Sequence, residues 1–165
     1  MKNLLCILII LIFGHSAYGS DKTIILAKGV NFHIEVESIN KSEFQNSALS
    51  VLDDILLIDN KPVFGSFLRI PSEKVKSAYI SINNKIINLD VSYMYDPNLF
   101  MLDEKSFKVL TKGDLYVIDA RFSDGAGTYV AQWIINGNSS TRMLISESEN
   151  IVIGLMYGDV EKKEK

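Results

Sequence analysis

Residues 115–146, LYVIDARFSDGAGTYVAQWIINGNSSTRMLIS, alternate apolar and polar side chains and are broken by two glycine-containing reversals, a pattern that fits antiparallel strands and little else. With Phe122 set opposite Tyr129 across the 123–128 loop, Ala120 meets Ala131, Ile118 meets Trp133 and Tyr116 meets Ile135. Side chains on a strand alternate faces, so this register gathers all eight groups on one side of a sheet, and a slip of one residue would scatter them. The other side mixes Asp119, Arg121 and Gln132 with Val117, Val130 and Ile134, the composition of a partly covered face. Asp124-Gly125 and Gly127 supply the left-handed backbone that a tight reversal needs. Read around Asn138, the second reversal continues the tryptophan's face through Thr141, Met143 and Ile145. Trp133, the only tryptophan, is then a core anchor between Ile118 and Met143.

The same logic extends outward. Val30, Phe32, Ile34 and Val36 alternate with Asn31, His33, Glu35 and Glu37, which predicts a strand with one wet face. Residues 23–27, 55–58, 63–70, 107–110 and 151–157 read as further strands, and 78–91 as a hairpin turning at Asn83-Asn84. Residues 40–50 and 71–78 are open to either a loop or a short helix. No stretch keeps a 3.6-residue apolar period between caps, and no linker or repeat divides the chain. The expectation is an all-β fold with at most a minor helix: one antiparallel domain over residues 20–165, a β-sandwich or a barrel-like meander.

The chain opens with Lys2, an apolar run over residues 4–13 and small residues at Ala17 and Gly19, the three-part pattern of a secretory signal peptide. A signal over residues 1–19, cleaved near Gly19, predicts a periplasmic or secreted protein with no membrane span after cleavage, since a span needs roughly 20 apolar residues. Cys6, the sole cysteine, would leave with it, so neither disulfides nor thiolate chemistry is expected in the exported form. A formal net charge of −3 with no basic stripe argues against nucleic acid as a partner.

Chemistry is sparse. His33 is the one histidine outside the leader, and no serine sits in a strained elbow for it to activate. One histidine without cysteine does not make a usual zinc set, so neither metal nor cofactor is expected. Glu35 and Glu37 share a strand face and form the best carboxylate pair for hydrolysis, yet nothing else marks a cleft. Gly125-Ala126-Gly127 joins strands rather than a strand and a helix, so it is turn chemistry and not a dinucleotide loop.

What this leaves is a non-catalytic protein-binding domain of the cell envelope, such as an immunity protein or an inhibitor of an envelope-acting enzyme. Accessory parts of an envelope assembly and carriers of small lipophilic ligands are the alternatives, with a Glu35/Glu37 hydrolase behind them. The residues expected to meet a protein partner are Asp119, Arg121, Gln132 and Arg142 on the mixed sheet face, with Asp124 and Thr128 in the adjoining loop.

Overall fold

The computed structural model describes residues 19–158. The expected leader up to Tyr18 and the tail from Asp159 lie outside the described residues. Eleven strands and one α-helix follow in order: β1 Gly19–Ala27, β2 Val30–Ser38, β3 Leu49–Leu52, β4 Ile55–Ile58, β5 Lys61–Val63, β6 Glu73–Ile82, β7 Lys85–Asn88, β8 Phe107–Lys112, β9 Leu115–Phe122, β10 Tyr129–Asn136, β11 Ser139–Ser146 and α1 Glu149–Tyr157. They form three antiparallel sheets ordered β1-β2-β6-β7, β11-β10-β9-β8 and β3-β4-β5. None closes into a barrel. No helix among the described residues is long and apolar enough to cross a membrane.

The two four-stranded sheets pack face to face. Alternation in β2 buries Val30, Phe32, Ile34 and Val36, which meet Ile118, Ala120, Phe122, Ala131, Trp133 and Ile135 of the opposing sheet in one core cluster. Phe32 is its hub, with ring centroids 4.8 Å from Phe107, 6.3 Å from Phe122 and 6.5 Å from Trp133. Rings at these separations are in tilted aromatic contact between the two sheets.

Tight turns at Asp53-Asp54, Asp59-Asn60 and Asn83-Asn84 join β3 to β4, β4 to β5 and β6 to β7. All six residues have positive φ between 49° and 68°, the mirror-image turn that matches strand twist and that Asp and Asn tolerate.

Several local expectations fail for identifiable reasons. Residues 64–70 are not a strand: left-handed backbone at Phe67 and Leu68 (φ 42° and 58°) cannot carry a ladder. Residues 71–78, open by sequence to either a loop or a short helix, are mostly strand, since β6 begins at Glu73. The final β-branched run is α1, because Val152 and Met156, four residues apart, both land on buried Val130 on the outer face of the β8–β11 sheet. Tertiary burial overrides the strand preference of Ile151, Val152 and Ile153. The β10–β11 turn has two residues, pairing Asn136 with Ser139, so Trp133 faces Arg142. Met143 falls at the following bulge and is 55% exposed, outside the core.

Candidate functional site

The expected register of β9 and β10 is present: Phe122 pairs with Tyr129, Ala120 with Ala131, Ile118 with Trp133 and Tyr116 with Ile135. It divides the six candidate partner residues into three groups.

Asp119 and Gln132 sit opposite one another, and Gln132 Nε2 donates to Asp119 Oδ1 at 2.7 Å. Asp119 is buried. This carboxylate bonds its cross-strand neighbour in a covered site on the sheet.

Arg142 lies on the other face, a consequence of the shorter turn. Its side chain is 11% exposed and forms an ion pair with Asp90 at 3.2 Å. It also donates to the Ser92 carbonyl at 2.7 Å and to that of Asp90 at 3.4 Å. Trp133 Nε1 donates to the same Asp90 carbonyl at 2.9 Å. Asp90 is held below the usual carboxylate range: burial pushes it up, but hydrogen bonds from Ser92 and the Arg142 charge outweigh this. Arg142 therefore latches the edge of one sheet to the strand exit of the other, away from the face that carries Arg121.

Arg121, Asp124 and Thr128 do come together. They line a surface cleft of about 170 Å³ with Pro97, Met101 and Ser123. Its floor is fixed by main-chain contacts. Ser123 N–H donates to the Pro97 carbonyl at 3.0 Å, tying the 123–128 loop to the 97–102 turn. Gly127, in a 3-10 turn at Gly125–Gly127, abuts Gly65, where an added Cβ would lie 2.6 Å from the Gly65 carbonyl oxygen. Arg121 is oriented by Tyr157 of α1, whose hydroxyl accepts from Nη1. The helix that sequence alone read as a strand thus sets the direction of the one accessible arginine of the group.

The 97–102 turn supplies what sequence reading passed over. Asn98 takes left-handed φ (50°), and Lys22 Nζ donates to the Leu99 carbonyl at 2.8 Å, fastening the turn to β1. Leu102 points into the core and Leu99 packs partly against it, so Phe100 and Met101 point out. They are 90% and 56% exposed. The signal available was four consecutive apolar residues, Leu99-Phe100-Met101-Leu102, between Asp96-Pro97-Asn98 and Asp103. In so tight a turn two of the four must face water.

Behind the cleft, Glu147 accepts from Gly65 N–H at 2.5 Å, and burial raises its pKa more than that bond lowers it. The hydroxyls of Ser66 and Tyr129 are buried with no hydrogen-bond partner among the described residues.

The other candidates are accounted for by neighbours. Glu35 pairs with Lys76 at 2.6 Å and Glu37 with Lys74 at 2.9 Å. The Lys76 hydrogen bond, with help from Ser77, holds Glu35 below its ordinary pKa, the reverse of what a general acid requires. His33 stacks on Tyr79 with centroids 4.3 Å apart, and its Nδ1 lies 2.6 Å from the Thr23 hydroxyl. Tyr93 has left-handed backbone and is exposed, while Tyr95 packs on Leu56, Ile58 and Val63. Among the described residues no group of three or more His, Cys, Asp or Glu is placed to hold a metal ion.

No protein family, curated protein or solved structure matches the chain.

Proposed function

We propose that this chain is an exported, non-catalytic protein-binding domain that engages its partner through the sandwich end carrying Phe100, Met101 and the Arg121 cleft. The observation that carries this reading is Phe100, 90% exposed on a turn fastened at Lys22 and Pro97. Leaving a phenylalanine in water forgoes about 1.5–3 kcal/mol of burial. Phe100 is followed by Met101, which lines the cleft with Arg121, and phenylalanine, methionine and arginine are residue types enriched at protein interfaces. Export rests on the pattern of Lys2, the apolar run over residues 4–13 and Gly19. Within this class, an antagonist of an envelope-acting enzyme, as an immunity protein or inhibitor, suits a turn that projects beside a shallow cleft.

The test is partner capture from an envelope extract by immobilised wild-type protein, followed by affinity and inhibition measurements with the isolated partner. Phe100→Ser should weaken binding by about 30-fold, near 2 kcal/mol. Arg121→Ala should weaken it too. Ile86→Ser, which changes a residue 64% exposed on β7, should bind as wild type. Equal affinity for all three variants would refute the assignment to this surface.

A further inference from the structure

Every sheet edge offers unpaired main-chain groups to another chain unless something guards it. In this protein the edges differ sharply. β7 and β11 are tied by Ser140 donating to the Asn88 carbonyl and by Arg142 donating to those of Asp90 and Ser92. β1 carries Asp21, Lys22 and a bulge between Ile25 and Ala27, and it is packed by the 3-10 turn Glu104–Ser106. β8 carries Lys108 and Lys112, and β5 is three residues long with Pro62 at its centre. β3, Leu-Ser-Val-Leu, has no charge, no proline and no bulge, and all four residues are exposed.

The ladder fixes which groups of β3 face outward. The Asp59 amide donates to the Ala48 carbonyl at 2.9 Å, so Ala48 is a position bonded towards β4. Bonded and non-bonded pairs alternate in an antiparallel ladder. Ser50 and Leu52, paired with Leu57 and Ile55, therefore also turn their main chain inward, and Leu49 and Val51 turn theirs out. Their side chains, 52% and 55% exposed, line the same open edge.

We infer that β3 is a second interaction surface that takes up an extended segment of a partner protein as an added strand. That segment has apolar residues at alternate positions and a basic residue at the end lying by Asp53 and Asp54. The alternation follows from Leu49 and Val51 sharing one face, against which every second side chain of an added strand would lie. The basic residue follows from the two exposed carboxylates that close the β3–β4 turn. A second copy of this chain fits less well. A four-residue strand is about 13 Å long, and pairing two globular bodies along it alone falls far short of the ~800 Å² per partner of a stable interface. A flexible segment needs no such area.

This surface is independent of the Arg121 cleft, and its failure would leave that reading untouched. The probe is a capped, lysine-flanked peptide of alternating valine and threonine, with a version N-methylated at alternate residues as the paired control. Amide exchange read by NMR on the labelled protein should show Leu49 and Val51 slowed at least tenfold near saturation, with the N-methylated peptide giving no slowing. Val51→Pro removes one outward donor while sparing the bonds to β4 and should weaken binding about tenfold. Unchanged Trp133 fluorescence would show that this variant remains folded. The inference is overturned if both peptides bind alike, if the peptide at about 1 mM leaves these amides unprotected, or if they are protected without peptide in a sedimenting dimer. Protection appearing at Phe100 and Arg121 instead would also overturn it.

Discussion

Arg142→Ala separates a latch from a binding residue more sharply than any other single change. The side chain is 11% exposed and gives one short charged hydrogen bond, 2.7 Å to the Ser92 carbonyl, and one long one to the Asp90 carbonyl. A hydrogen bond to a charged donor contributes about 1.5–3 kcal/mol. The Asp90 ion pair adds no more than about 1 kcal/mol, because that carboxylate is 49% exposed and screened by water. The expected cost is therefore about 2–3 kcal/mol. With a urea dependence of roughly 2 kcal/mol per M for a domain of this size, the unfolding midpoint should fall by about 1 M. Trp133 fluorescence is the natural readout, since its indole N–H bonds to the same Asp90 carbonyl.

The pH dependence of the difference gives a second check. Asp90 has a lowered folded-state pKa, so its pairing contributes fully above its unfolded value of about 3.9 and is lost as pH falls through the folded one. The gap between wild type and Arg142→Ala should narrow as pH drops below about 4. An unmoved midpoint combined with lost partner capture would refute the latch and return Arg142 to the binding surface.

Two further predictions concern the seam behind the cleft. Tyr129→Phe removes a buried hydroxyl that has no partner among the described residues, so it should leave stability unchanged or raise it by about 1 kcal/mol in urea unfolding; a loss of that size would mean the hydroxyl is bonded. Glu147 has a raised folded-state pKa, so the native state holds its proton longer than the unfolded chain. Stability should then decline as pH rises from about 4.3 through the folded pKa, and Glu147→Gln should flatten that slope in thermal unfolding followed against pH. A slope unchanged by the substitution would assign it to another group.

Residues 115–136 were legible because everything that fixes them is local. A period of two, a loop rich in glycine and a face of eight apolar groups admit one register, and Phe122 pairs with Tyr129 as that pattern requires. β2 and the Asn83-Asn84 hairpin were legible for the same reason. Beyond Asn136 the signal thinned. Whether the turn holds two residues or pivots on Asn138 is a difference of one position, yet it decides that Arg142 rather than Met143 faces Trp133. The Asp90 and Ser92 carbonyls that Arg142 meets are some fifty residues earlier in the chain, beyond any local pattern.

The candidate site was legible only in part. Arg121, Asp124 and Thr128 were identified by residue type and by the loop between β9 and β10. Asp119 and Gln132 share Arg121's face but bond to each other, and only pairing geometry shows that. Phe100 was hidden because composition marks it apolar, whereas exposure depends on which two of four turn residues the core accepts. The α1 segment was misread because Ile151, Val152 and Ile153 favour strands in isolation, and the surface that makes them a helix is Val130, on a different element. The sequence alone determined an all-β antiparallel body and the central register, since alternation and turn chemistry act between near neighbours. Tertiary structure alone decided the helix, the direction of Arg121, the latch at Arg142 and the exposure of Phe100, because each depends on groups that come together only when distant segments pack.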